Sequence, residues 1–190
     1  MNPKIILYSA VSLDGFIADA AGGIDWLTPY NQIDFGEFAF DRFLANIGWC
    51  LMGRKTFDQV AGMGPWPHPE QQSFVWTSKP PSGSDLTAIP NVKFTSEHPA
   101  AVVSAILAAN VSVKEGPTDS PKDIWLVGGG DLNRAFLEAQ LIDELFLFYV
   151  PVFLGSGIPL WGKNPPATQW RTTGTAFFDK GVKLIRADRP

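Results

Sequence analysis

Ile47-Gly48-Trp49-Cys50-Leu51-Met52-Gly53-Arg54-Lys55-Thr56-Phe57 is the stretch on which the fold turns, because an apolar strand empties into Gly-Arg-Lys-Thr where a helix begins. A strand-to-helix junction presents free backbone N–H groups and the positive end of the helix dipole, and here two cations accompany them. Such a junction is suited to a phosphate group. The alternative is an ordinary turn and helix cap with solvated basic side chains. The tetrapeptide alone favours that alternative, so the rest of the chain has to decide.

A second junction of the same kind lies downstream. Ile124-Trp125-Leu126-Val127 reads as a buried strand, and Gly128-Gly129-Gly130 opens a helix through Leu132, Phe136 and Leu137. Ligands of open α/β sheets gather at the carboxyl ends of strands, so strands at 48–53, 73–77 and 124–127 can face one extended nucleotide. A tight turn needing positive φ would require only one glycine. Two familiar nucleotide motifs fail on spacing. A G-x-G-x-x-G fingerprint needs glycine where Asn133 stands, and a Walker A loop is broken by Arg54 between Gly53 and Lys55.

Around these junctions the pattern alternates strand and helix. Ile5–Ala10 reads as a buried strand, and Asp14-Gly15 as a turn leading to Phe16-Ile17-Ala18. Asp34 and Glu37 have capping-box spacing, which predicts a helix of about three turns carrying Phe40, Phe43, Leu44 and Ile47 on one face. Helices at about 55–61 and 99–109, strands at 73–77, 92–95 and 143–153, and a hairpin of 169–177 with 181–187 complete the pattern. The expectation is one α/β domain over 1–190: a three-layer fold with a mixed, mostly parallel central sheet flanked by helices and a C-terminal antiparallel hairpin. The polar loops at 79–91 and 112–121 separate no independent cores.

Composition narrows the function. The 190 residues are 45% hydrophobic and carry a net charge of −4, without a basic run, which argues against nucleic acid as a partner. Cys50 is the single cysteine and reads as a buried thiol in a reducing compartment. One thiol and two histidines without ligand spacing argue against a metal site. The N-terminal apolar segment is too short for a signal peptide or a membrane span, so a cytoplasmic location is expected. His68 and His98 lie in proline-flanked loops, where solvated roles are expected. Trp66 between Pro65 and Pro67 either caps a pocket or anchors its loop.

A series of segments in the same order resembles the dihydrofolate reductase-like fold, and more closely the riboflavin biosynthesis reductase (RibD C-terminal domain-like) group. They are Tyr8 to Ala18, Asp25-Trp26-Leu27, Leu51 to Phe57, Val75 to Lys79, and Trp125 to Gly130 followed by Asp143-Glu144-Leu145 and Pro151 to Gly155. The resemblance implies NADPH as hydride donor and a homodimer. It places Gly53, Arg54, Lys55 and Thr56 at the 2′-phosphate and pyrophosphate, and Thr77, Ser78 and Lys79 on the 2′-phosphate and adenine side. Val127, Gly128, Gly129, Gly130, Asp131 and Leu132 match the glycine turn beside the pyrophosphate and nicotinamide, with Asp131 expected to cap its helix. Ala10, Ile17 and Ala18 match positions against the nicotinamide, although folate reductases have glycine where Ala18 stands. Trp26, Phe35 and Phe38 are candidate walls over the substrate ring, with core packing the competing duty for the two phenylalanines.

The folate-reductase pattern breaks at the substrate. Its pterin-gripping carboxylate would fall at Asn31, and the threonine that partners it aligns with Phe148. Asp34 and Glu37 are the nearby carboxylates that remain as catalytic candidates. The implied activity is NADPH-dependent hydride transfer to a small heterocycle, of the 5-amino-6-(5-phosphoribosylamino)uracil reductase kind. A dihydrofolate or pterin reductase, or a non-catalytic NADP-binding protein, are the alternatives.

Overall fold

A computed structural model describes residues 3–79, 89–112 and 122–190. Most of the two polar loops singled out above, residues 80–88 and 113–121, lie outside them. Eight strands form the main sheet: β1 (Ile5–Ser12), β3 (Ile47–Gly53), β4 (Gln72–Trp76), β5 (Val92–Thr95), β6 (Asp123–Gly128), β7 (Glu144–Val150), β9 (Arg171–Phe177) and β10 (Lys183–Asp188). Their order is β5-β4-β3-β6-β1-β7-β10-β9. The first six in this order run parallel, β10 pairs antiparallel with β7, and β9 pairs antiparallel with β10 to complete the C-terminal hairpin. A small antiparallel sheet joins β2 (Phe16–Asp19) to β8 (Gly157–Pro159).

Strand alternation sorts side chains into two layers. Leu7, Leu51, Ile124, Leu126, Leu145 and Leu147 pack with Val102, Val103 and Ile106 of α3 (Pro99–Ser112) and with Leu132, Phe136 and Leu137 of α4 (Gly130–Glu138). On the other face Cys50, Met52, Val75 and Trp125 pack with Phe43 and Leu44 of α1 (Phe40–Ala45) and with Phe57 of α2 (Arg54–Gly62). Helices therefore cover both faces, as a parallel sheet with apolar strands requires. Cys50 is buried as expected, and burial pushes its thiol up to about 12.

Several local expectations need correction. The three-turn helix with an Asp34–Glu37 capping box does not form. The Asp34 carboxylate accepts the Gly36 amide at 2.8 Å, Gly36 takes a positive φ of 56°, and extended Ala39 starts a helix of only 6 residues. Ile47 belongs to β3 rather than to that helix's face. The long strand at 143–153 is regular only over β7, and the hairpin strands begin at 171 and 183. His68 is not solvated but 5% exposed, edge-on to Trp66 and Trp125 at 5.6 and 5.4 Å. His98 stays exposed and accepts the Ala100 amide at the start of α3. Trp66 anchors its loop: its indole N–H donates to the His68 carbonyl at 3.1 Å and its ring lies against Phe57.

Candidate functional site

Both phosphate-type junctions sit at the carboxyl ends of neighbouring strands, β3 and β6. Gly53 caps α2 and Gly129 caps α4, and neither helix N-terminus is closed by a side-chain hydrogen bond. The pairing of β3 with β6 slips between Leu51 and Met52, so Met52 lies opposite Gly128 and Val127 is skipped. That slip draws the two junctions together. A Cβ on Gly53 would stand 3.8 Å from the Gly128 carbonyl oxygen and 3.9 Å from the Gly129 nitrogen. One on Gly129 would stand 3.5 Å from the Thr56 hydroxyl. The Gly128–Gly129 peptide is cis.

The three glycines of the turn have different reasons to be glycine. Gly128 has φ of 107°, where side chains are strained. At Gly130 a Cβ would lie 2.1 Å from the Pro159 carbonyl oxygen, so its smallness serves contact with β8. Gly129 alone faces Thr56 across the space between the junctions. Asp131 does not cap α4, contrary to expectation, because the cap position is Gly129, two residues earlier. Asp131 is exposed in the first turn, beside Gly162, where a carboxylate still favours the helix dipole. Leu132 is buried against the core.

The structure brings Arg54, Thr77 and Lys79 together. The Arg54 guanidinium donates to the Asp58 carboxylate at 2.7 Å and to the Lys79 carbonyl at 2.9 Å. The Thr77 hydroxyl accepts the Lys79 amide at 3.0 Å, closing the turn that follows β4. Ser78 and Lys55 are exposed beside this turn and on α2. A guanidinium, hydroxyls and exposed amines are the donor set that a phosphate monoester dianion requires.

Ala10 lies on β1, and Ile17 and Ala18 on β2, where the pairing with β8 slips between Phe16 and Ala18. Trp26 sits in a 3-10 turn over Asp25–Tyr30, and its indole N–H is buried without a hydrogen-bond partner. Phe35 and Phe38 are half-buried in an aromatic cluster: Phe35 meets Phe148 and Phe178 at 5.3 and 5.0 Å, and Phe38 meets Phe146 at 6.4 Å. Core packing thus accounts for both phenylalanines. Asp34 is engaged by Gly36, and Glu37 is exposed.

The sequence marks Asp14 only as part of a turn, Asn133 only as a break in a glycine fingerprint and Leu154-Gly155 only as part of a resembling segment, and gives none of them, nor residues 156–162, a place in the site. Their partners lie far away along the chain, and no spacing announces them.

The RibD C-terminal domain matches residues 3–184. Two uncharacterized proteins of Bacillus subtilis (strain 168) are similar throughout. YwjB is 32% identical over 185 residues, covering 97% of each chain, and YyaP is 31% identical over 184 residues, covering 96% of this chain and 93% of that one. Among solved structures, a putative riboflavin biosynthesis protein from Shewanella sp. PV-4 superposes with a TM-score of 0.81 at 24% identity, covering 100% of this chain and 99% of that one. The diaminohydroxyphosphoribosylaminopyrimidine deaminase/5-amino-6-(5-phosphoribosylamino)uracil reductase of Thermotoga maritima gives 0.67 at 15% identity, with this chain spanning 57% of it. At these identities the structural likeness is one of fold. The match over nearly the whole length places the chain in the RibD C-terminal domain family, with a dihydrofolate reductase-like fold.

Proposed function

We propose that this chain is an NADPH-dependent reductase of a small heterocycle, acting as one domain and as a homodimer, with a ribosylaminopyrimidine phosphate as the first substrate to test. The observation that carries the reading is the pair of uncapped helix N-termini facing each other across Gly53 and Gly129. A Cβ on either glycine would occupy that space, which suits a pyrophosphate held by backbone N–H groups. Arg54, Thr77, Ser78 and Lys79 would hold the 2′-phosphate, and Ala10, Ile17 and Ala18 would flank the nicotinamide. Reduced nicotinamide, when bound, supplies the hydride. The chain's own part is to orient the two rings and to exclude water between them.

A second reading, cofactor binding without turnover, is favoured by Asn31 at the folate-reductase carboxylate position and by the engagement of Asp34 with Gly36. Both readings are tested by thermal denaturation with NADPH and by NADPH oxidation with the ribosylaminopyrimidine phosphate and with dihydrofolate. Ligand at 100 times its dissociation constant stabilises by about 2.7 kcal/mol, or about 5–10 °C for a chain of this size. No shift with NADPH refutes both readings. A shift without oxidation of either substrate supports the second.

A further inference from the structure

Asp14 stands between β1 and β2, and its carboxylate gathers donors from distant segments. It accepts the Ser12 hydroxyl at 2.6 Å, the Leu154 amide at 3.1 Å and the Gly155 amide at 2.7 Å. Ser12 is fully buried, and its oxygen in turn accepts the Phe16 amide at 2.9 Å. Leu154 and Gly155 lead into β8, which pairs Pro159 with Phe16, Ile158 with Ala18 and Gly157 with Asp19. A Cβ on Gly157 would lie 2.2 Å from the Ala18 carbonyl oxygen, so the two strands touch backbone to backbone. Beyond β8, Asn133 of α4 donates to the Leu160 carbonyl at 2.9 Å, and Pro159 abuts Gly130. One line of contacts thus runs from Asp14 through 154–160 to the N-terminus of α4.

We propose that Asp14 is a positioning residue: by clasping Leu154 and Gly155 it sets the loop carrying Ile17 and Ala18 at a fixed distance from the glycine turn at 128–130. The proposal rests on the cofactor reading above, because that reading assigns Ile17 and Ala18 to the nicotinamide and the glycine turn to the pyrophosphate. Three donors converge on one side chain, and only a carboxylate accepts all three. Partial burial opposes ionisation, but the hydrogen bonds from Ser12, Gly155 and Leu154 outweigh it and hold the carboxyl below its ordinary range. An amide at position 14 keeps an oxygen for the two backbone N–H groups and turns an N–H₂ toward Ser12. Alanine leaves all three donors without an acceptor.

If Asp14 acts only as a local brace, its loss affects no ligand or every ligand alike. If it positions the nicotinamide-side loop, the loss falls on NADPH and spares 2′,5′-ADP, which carries the 2′-phosphate but no nicotinamide. The experiment compares Asp14→Ala and Asp14→Asn by calorimetric titration with both ligands, and by amide hydrogen exchange at Leu154 and Gly155 without ligand. Asp14→Ala should weaken NADPH about tenfold, keep 2′,5′-ADP within about twofold, and speed exchange at both amides about tenfold. Asp14→Asn should fall between wild type and Asp14→Ala, and it decides the matter if the alanine variant does not fold. Equal loss for the two ligands, unchanged NADPH affinity, or unchanged exchange overturns the proposal. Wild-type protein that binds neither ligand overturns the cofactor reading and the positioning role with it. Wild-type binding of both ligands with indifferent Asp14 variants removes only the positioning role.

Discussion

Replacing Gly130 by alanine would put a methyl carbon 2.1 Å from the Pro159 carbonyl oxygen, 2.8 Å from the Gly162 nitrogen and 3.3 Å from its Cα. All three are backbone atoms, so no side chain can swing away and β8 must move. Overpacking costs about 1–3 kcal/mol when neighbours can yield, and the rigid neighbours here put the substitution at about 3 kcal/mol. Alanine's better helix propensity offsets up to about 1 kcal/mol of this at the first helical position. The net loss of about 2–3 kcal/mol corresponds to a Tm lower by about 4–12 °C. Gly53→Ala and Gly129→Ala make a different case. Their φ values of −77° and −74° suit any residue, and their nearest neighbours lie at 3.8 and 3.5 Å. Each should cost less than about 1 kcal/mol as a cap substitution, yet each methyl would enter the space between the two junctions. Thermal scans of the three variants, with and without NADPH, separate the roles. Gly130→Ala should melt early and keep a diminished NADPH-induced shift, because β8 moves and carries its partner β2 with it, whereas Gly53→Ala and Gly129→Ala should melt near wild type and lose the shift. A Gly130→Ala protein that melts with wild type, or a Gly53→Ala protein with an undiminished NADPH shift, refutes the reasoning.

Two further substitutions probe the cofactor and the core. Arg54→Ala should weaken NADPH about tenfold or more and change NADH little, because only NADPH presents a 2′-phosphate to the guanidinium; equal loss for both, measured by titration, would sink the assignment. His68 is buried, which holds its imidazole below the ordinary 6.5. The unfolded chain therefore binds the proton more readily, and stability should fall as pH drops below about 6.5. His68→Phe should flatten that acid limb in urea midpoints measured across it, and an unchanged slope would show that another group dominates.

The parallel sheet and its two glycine-bearing junctions were legible because they are local. Leu51-Met52-Gly53 and Leu126-Val127-Gly128 each state strand, turn and helix within a dozen residues. The small sheet was not, since β8 is three residues long and Gly157-Ile158-Pro159 carries no alternation. The Asp34–Glu37 spacing misled because Gly36 adopts a positive φ between the two acids, breaking the turn that a capping box needs. His68 was misread from its proline-flanked sequence, which says nothing about the two tryptophans that fold over it. Of the candidate site, the residues following β3, β4 and β6 were proposed from sequence, and the sheet sets those three strand ends side by side. The restraints contributed by Asp14 and by 154–162 were invisible, because Asp14 and Gly155 stand 141 residues apart.

The same separation of partners governs how the chain reaches its structure. β1 lies in the interior of the sheet, yet it pairs only with β6 and β7, so Ile5 waits for Ile124 and Leu7 for Leu145. Until residue 128 has been made the first strand has neither neighbour, and its second edge stays bare until β7 is complete at residue 150, with Ile5, Ile6 and Leu7 uncovered in the meantime. During synthesis the early apolar strands are therefore held open for most of the chain's length, a source of slow folding and of exposure to aggregation. Truncation anywhere before β7 leaves the centre of the sheet unpaired, whereas loss of β9 removes only an edge.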